Sequence, residues 1–390
     1  MADAVLDFTP EFRFSAEQLA LRTAIRKFCA ENFAEPTVRR LMESPIRFDP
    51  AVWRRLGSEL GVLGMSVSES DGGVGGSLVD QAVAAEEFGA KLACGPWFGT
   101  VYLAIPALAA CPAGPAPDAL LVQLLEGART AAFAVADRAG GFDPAAVAIS
   151  AGRDTVTGTA ERVVDADAAD ELVIAAMGSD GLGLYAVDMT APGVHRIPLV
   201  TMDLTRPQAT VVLSDTPARL LAGPADAERV ISHALQVGSV LMAVEQVGAG
   251  QHLLDIAVDY AKSRLQFGRL IGSFQAVKHK LADMLVDLEH ARSTAYHAAW
   301  ALTDGSDDPA LAASIAQAVC SAALSRIAAD CIQVHGGIGF TWEHQAHLYF
   351  KRAATDAALL GSAEQHRERV AELVLDHAEC DPAAIKLATG

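Results

Sequence analysis

The chain has 390 residues, of which 51% are hydrophobic and 20% charged, and its formal net charge is -18. That length asks for two or three domains, and the composition excludes a disordered chain. The acidic balance excludes nucleic-acid binding by phosphate neutralisation and reads as solubility, so an anionic ligand would need local basic residues.

The N-terminal Met1-Ala-Asp-Ala-Val-Leu-Asp has no basic flank before an apolar core, so no signal peptide is expected. No apolar run approaches the roughly 20 residues of a bilayer span, so no membrane segment is expected. From Phe14 to about Leu108 the pattern is helical, with Ser15-Ala-Glu-Gln as an N-cap signal. The loop Ser68-Glu-Ser-Asp-Gly-Gly-Val-Gly-Gly76 interrupts it, and helix resumes over Leu78 to Leu92. Cys111-Pro-Ala-Gly-Pro-Ala-Pro marks a boundary.

Between Ala131 and Leu221 short β-type runs follow one another: Ala131-Ala-Phe-Ala-Val, Val147-Ala-Ile-Ser, Thr155-Val-Thr, Glu171-Leu-Val-Ile-Ala, Gly183-Leu-Tyr-Ala-Val, Gly193-Val-His-Arg-Ile and Ala209-Thr-Val-Val-Leu. Such spacing indicates a β-barrel or sandwich. From Ala227 to about Ala378 the chain is helical again. Leu241, Val244, Gly248, Leu254 and Val258 share one apolar face, and Ala282, Leu285 and Leu288 continue the theme. Helices, then strands, then helices exclude an alternating doubly wound sheet. His335-Gly-Gly-Ile-Gly follows a helix and lacks a Walker lysine, so it is not a phosphate loop. Cys29, Cys94, Cys111, Cys320, Cys331 and Cys380 stand far apart without a Cys-x-x-Cys pair. They read as reduced, buried thiols in a cytoplasmic protein, with no metal site.

Two C-terminal stretches carry a family resemblance. One runs from Leu254-Asp255 through Tyr260-Ala-x-x-Arg264-x-x-Phe267-Gly268, Ile271-Gly-Ser-Phe-Gln275 and Lys280-Leu-Ala-Asp283-Met284. The other is Gln333-Val-His-Gly-Gly-Ile-Gly-Phe340, with Arg352 after it. Both are similar to the acyl-CoA dehydrogenase family, as is the loop Gly61-Val-Leu-Gly-Met-Ser-Val-Ser-Glu-Ser-Asp-Gly-Gly-Val-Gly75. The resemblance covers essentially the whole chain. It implies an α+β fold with an N-terminal helical domain (1–125), a middle β-barrel or sandwich domain (126–225) and a C-terminal four-helix bundle (226–390). It implies FAD as cofactor, an acyl-CoA thioester as substrate, and an electron-transfer flavoprotein or similar acceptor. In the family a carboxylate removes the α-proton and FAD takes the β-hydrogen as hydride.

The resemblance also names cofactor residues: Arg264, Phe267, Gln275, Gln333, Val334, Gly336, Gly337 and Gly361. The Arg264 fork suits a pyrophosphate, with a surface ion pair as the bland alternative. Phe267 and Gln275 suit the adenosine half, with core packing as the alternative for Phe267. Gln333, Val334, Gly336 and Gly337 form a turn whose missing side chains let a backbone approach a ligand, or else simply end a helix. In the family these groups reach across a subunit interface to the neighbour's FAD, which implies at least a dimer.

The departures matter as much. The family's catalytic glutamate lies in a Tyr-Glu-Gly-Thr segment, and here Leu359-Leu360-Gly361-Ser362 stands there, with Leu360 in the glutamate position. Its alternative position, on the helix before Tyr260, falls near Gly238-Ser239. Glu245 lies about two turns further along, in an Ala-x-Glu-x-x-Gly context, and reads as structural. Asp356 and Glu364 flank Leu360 and read as solvated or ion-paired. The β-domain segments that normally touch the flavin are Ala134 to Asp143 and Gly158-Thr-Ala-Glu-Arg162-Val163-Val164-Asp165, which lack the usual hydroxyl and aromatic groups. No catalytic residue is assigned.

Three readings follow. The first is a companion subunit that completes the FAD site of a second acyl-CoA dehydrogenase subunit carrying the glutamate, as in actinobacterial heterotetramers of steroid degradation. The second is a self-sufficient enzyme with a displaced base. The third is a flavin-free scaffold, against which retention of Arg264, Gln333, Gly336 and Gly337 argues.

Overall fold

The computed structural model describes residues 13–135 and 142–378, with side chains described to Leu375. Helix α1 (Ala16–Asn32) opens on a capping box: Ser15 Oγ accepts from the Gln18 N–H at 3.2 Å and Gln18 Oε1 accepts from the Ser15 N–H at 3.0 Å. Helices α2 (Glu35–Met42), α3 (Pro50–Ser58) and α4 (Leu78–Gly89) follow, and Ser77 and Asp80 build a second capping box on α4. A π-helical stretch, Trp97–Ala104, leads into α5 (Ile105–Ala110), and α6 (Pro115–Leu125) closes this helical layer. The proline-rich run after Cys111 is therefore a turn inside the layer. Pro115 takes the first position of α6, where its missing N–H would have been unpaired anyway.

The middle of the chain is one eight-stranded sheet in the order β6-β7-β3-β2-β4-β5-β8, with β1 also paired to β4. Its strands are β1 (Ala131–Ala134), β2 (Ser150–Ala151), β3 (Thr155–Val164), β4 (Glu171–Gly178), β5 (Gly181–Asp188), β6 (Val194–Pro198), β7 (Gln208–Pro217) and β8 (Arg219–Ala222). β1 and β2 run parallel to β4, and the other ladders are antiparallel. Alternation along β4 splits its side chains between two cores. Leu172, Ile174 and Ala176 enter a core of the sheet's own, whereas Val173 and Ala175 join the helical core. The strand expected at Val147 shrinks to the two residues of β2. Strand β8 went unread because four residues at a sheet edge carry too little alternation.

The C-terminal layer starts with the 37-residue helix α7 (Ala227–Ser263). A hairpin of β9 (Leu265–Gln266) and β10 (Arg269–Leu270) follows, then α8 (Gln275–Asp304), α9 (Pro309–His335), α10 (Ala346–Asp356) and α11 (Ala363–Ala378). Helices α7, α8 and α9 pack on one another, α11 lies on α9, and α10 touches both α9 and α7. On α8 the inward residues include Met284, Leu288, Ala291 and Ala295; Ala282 and Leu285, expected inside with Leu288, are exposed. The helices α7 and α9 are long and apolar enough to cross a membrane, contrary to the sequence reading. Their most apolar windows are nonetheless 78% and 61% buried inside the protein, as core helices are. Gly248 explains the Ala-x-Glu-x-x-Gly pattern. A Cβ there would sit 1.8 Å from the Glu86 carbonyl oxygen of α4, so only glycine lets α7 and α4 approach this closely. The five described cysteines are free, and all but the half-buried Cys111 are buried; Cys380 lies outside the described residues. Burial pushes the Cys94, Cys111 and Cys331 thiols up to about 12, so they are unreactive.

Candidate functional site

One candidate site is an exposed surface at the C-terminal ends of α7 and α9. The chain leaves α7 at Arg264, whose N–H closes the helix on the Tyr260 carbonyl at 2.8 Å. It then turns sharply at Phe267 and Gly268, with φ of 54° and 77°. Two positive φ values in a two-residue loop are the hairpin geometry that matches strand twist. For glycine this costs little, but for phenylalanine it is strained; the Phe267 side chain is 90% exposed, its ring edge-on to Phe274 with centroids 6.2 Å apart. Arg264 and Gln275 are exposed as well. Between Tyr260 and Ala282 stand Lys262, Arg264, Arg269, Lys278 and Lys280 with no acidic residue, a basic segment in an acidic chain.

The second motif is not wholly a turn, as the sequence suggested. Helix α9 continues through Gln333 and Val334 to His335, and Val334 is buried at 8% exposure. Gly336 ends the helix at φ 64°, and Gly336–Phe340 form a 3-10 turn. Gln333, Gly336 and Gly337 are exposed, and a Cβ at either glycine would meet nothing within 4 Å. The rings of Tyr260 and His335 stack with centroids 4.5 Å apart, which ties this turn to the end of α7.

A second candidate lies between the sheet and the bundle. A cavity of about 1130 Å³ is lined by Thr159 through Val164 of β3, by Phe98 and Leu103, and by Ala357 through Leu360 after α10. The expected β-domain segments thus do face it at Ala134, Val135, Asp143 and Thr159 through Val164, while 136–141 lie outside the described residues. Leu360 lines it in a left-handed conformation, φ 57°. A Cβ on Gly238 would fall 2.5 Å from Leu103 Cδ2, so Leu103 occupies the space a side chain there would need. Neither position offers a proton acceptor. Gly361 is buried and lines an adjoining cavity of about 330 Å³, away from the exposed motifs' side chains.

The other carboxylates weighed in the sequence are spoken for. Glu364 is exposed and pairs with Arg367 at 2.9 Å. Asp356 is not solvated: it is 1% exposed, and Oδ1 accepts from Arg206 at 2.8 Å. Arg206 also clamps both oxygens of Glu245, at 2.6 and 2.8 Å. Arg352 joins Glu245 to Asp203 and to the Thr205 hydroxyl. Five charges from α7, α10 and the β6–β7 loop thus form one dry network. Burial alone would push the Glu245 carboxyl up, but Arg206 and Arg352 outweigh it and hold it below the usual range. Burial wins at Asp356, pushed up to about 7, and Asp356 Oδ2 has no partner among the described residues. Glu245 is therefore structural, as its sequence context indicated. Asp203, Thr205 and Arg206 escaped the sequence reading because they sit in a loop without periodicity or motif.

Comparison with known proteins identifies this architecture. The profile of the acyl-CoA dehydrogenase N-terminal domain matches residues 15–112, and that of the acyl-CoA dehydrogenase C-terminal domain matches residues 228–375. Acyl-CoA dehydrogenase IpdE2 of Mycolicibacterium smegmatis is 35% identical over 363 residues, 91% of this chain and 98% of that protein. The chain belongs to the acyl-CoA dehydrogenase family. Acyl-CoA dehydrogenase FadE34 of Mycobacterium tuberculosis is 36% identical over 80% of this chain and 41% of that protein. Among solved structures, the ChsE4-ChsE5 complex from Mycobacterium tuberculosis superposes with a TM-score of 0.83 at 27% identity, over 93% of this chain and 99% of that one. A variant of the Tcur3481-Tcur3483 steroid ACAD gives 0.83 at 28%, with the same coverage.

Acyl-CoA dehydrogenases are oxidoreductases acting on CH–CH bonds with FAD as cofactor. The exposed surface fits that group. It offers an unburied guanidinium fork, an aromatic ring held in solvent, and two glycines with open space where side chains would stand.

Proposed function

We propose that this chain is the companion subunit of a two-chain, FAD-dependent acyl-CoA dehydrogenase, acting on a steroid-derived or similarly bulky acyl-CoA in the cytoplasm. One contrast carries the reading. The exposed groups suited to a neighbour's cofactor are kept, while the chain's own cavity has Leu360, and Leu103 against Gly238, where the family needs a base. Leucine cannot accept a proton, and α-proton removal requires a base within hydrogen-bond reach. In this reading Arg264 pairs with the pyrophosphate of a cofactor held by a partner subunit that carries the glutamate. Phe267 and Gln275 flank its adenosine, and the Gln333 to Gly337 turn approaches it through backbone. Bound there, FAD supplies the two-electron acceptor for α,β-desaturation, and an electron-transfer flavoprotein re-oxidises it. The likeness to the ChsE4-ChsE5 complex and to the Tcur3481-Tcur3483 steroid ACAD supports the two-chain assembly, and the latter supports the substrate class.

Purification alone and with a co-expressed partner tests this. The companion reading expects a colourless chain alone and one flavin per two chains in the complex. A chain that binds FAD stoichiometrically alone and oxidises an acyl-CoA is instead a self-sufficient enzyme. Glu161, a carboxylate on the cavity lining, is then the base to replace by glutamine.

A further inference from the structure

The cavity beside Leu360 is large although neither Leu360 nor Gly238 offers a proton acceptor; its charged lining residues are Asp143, Glu161 and Arg162. Small residues line much of it, among them Ala134, Ala148, Ala160, Ala175, Ala357 and Ala358. Short side chains on several walls make a cavity wide, so it suits a rigid fused-ring group better than a single extended chain. Phe98, Phe133, Ile149, Leu235 and Leu360 add larger apolar surface. Leu360 sharpens this character: a carboxylate there would resist desolvation, whereas leucine gains from contact with an apolar ligand.

The polar end adjoins it. Leu235, Leu360 and Gln365 line both this cavity and the 330 Å³ one, which also carries Ser232, Gln236 and Ser239, with Arg369 between Glu368 and Glu372. His366 stands at the junction. Its Nε2 lies 2.8 Å from the Leu360 carbonyl oxygen and must donate to it, which leaves Nδ1 as an acceptor. That Nδ1 is buried without a partner among the described residues, and His366 lines the polar cavity. A wide apolar compartment meets a polar one with an unused acceptor between them, the polarity profile of an amphipathic ester.

We propose that this chain binds a bulky fused-ring acyl-CoA thioester in its own cavity without oxidising it, which gives the assembly a second ligand site that never turns over. The proposal rests on the companion reading, in which only the partner's cavity performs chemistry. Each flavin is then matched by two thioester sites, one in each chain.

The test uses the complete two-chain complex. Flavin is counted first, by absorbance after denaturation. The complex is then titrated in equilibrium dialysis with the α,β-unsaturated CoA thioester of a fused-ring acid, which cannot be desaturated again at that bond. Two thioesters per flavin are expected. Ala160→Phe and Leu360→Trp, which fill the cavity from different walls, should each lower the ratio to one at an unchanged flavin count. One thioester per flavin in the unaltered complex, or two in both variants, would overturn the second site. A flavin in every chain, read before any thioester is added, would sink the companion reading and this proposal with it.

Discussion

Tyr260 and His335 stack with ring centroids 4.5 Å apart and planes inclined by 30°. Tyr260 lies four residues before Arg264, and His335 stands between Val334 and Gly336, so one contact registers two motifs that are some 70 residues apart in sequence. The His335 ring is held in turn by the Cys331 carbonyl, 2.8 Å from Nδ1, and by His344, whose centroid is 4.2 Å away. Burial keeps the His335 imidazole below its ordinary pKa and hence neutral at pH 7.

Tyr260→Ala should therefore loosen the Gly336–Phe340 turn relative to the hairpin. Loss of the ring pair costs about 0.5–1.5 kcal/mol beyond the buried area. In the two-chain complex the temperature of flavin release should fall further than the temperature of global unfolding. Equal shifts of both would show that the stack supports only the core.

Arg264→Ala removes an exposed side chain, so the chain's own stability should change by no more than about 0.5 kcal/mol. Flavin content of the complex should drop severely, because a charge-assisted pair to a pyrophosphate disappears. An unchanged flavin content, measured on the gel-filtered complex, would favour the scaffold reading.

Glu245→Gln breaks the buried network from its centre. Arg206 and Arg352 both point at that carboxylate, and each is 3% exposed. Two guanidiniums left short of countercharge should cost about 3–5 kcal/mol, visible as a lower denaturation midpoint at unchanged m-value. A stability-neutral Glu245→Gln would reopen Glu245 as a functional carboxylate.

The pH dependence follows from an odd charge count. Among the described residues Asp203, Glu245 and Asp356 form ion pairs with Arg206 and Arg352 alone, so the network is neutral when one carboxyl keeps its proton. Asp356 is that carboxyl, pushed up to about 7 by burial from an ordinary 3.8. Between those values the native state holds a proton that the unfolded chain has released, so this group's contribution to stability is lost as pH rises towards 7. Asp165, also pushed up to about 7 by burial, adds a slope of the same sign. His347, lowered to about 4 by burial, and His335, lowered by burial too, slope the opposite way. The clean measurement is therefore a difference: Asp356→Asn should gain thermal stability relative to the unaltered chain as pH rises from about 4 to about 7. A constant difference across that range would remove the proton from Asp356.

The sequence by itself determined the family and the order of its layers. Motifs such as Tyr260 to Phe267 and Gln333 to Phe340 are local runs, and the change from helical to alternating periodicity is local too. It also marked Leu360, which stands where the family resemblance places a glutamate, since that is legible by position alone. Tertiary structure decided what depends on contacts distant in the chain. Leu103 fills the place beside Gly238 from far away in sequence, and Arg206 of the β6–β7 loop decides between the two readings of Asp356, as an ion-paired rather than a solvated carboxylate. Val334 and Leu285 were assigned to the wrong environment for the same reason: whether a residue at a helix end or on a helix face is buried depends on what the rest of the fold lays against it.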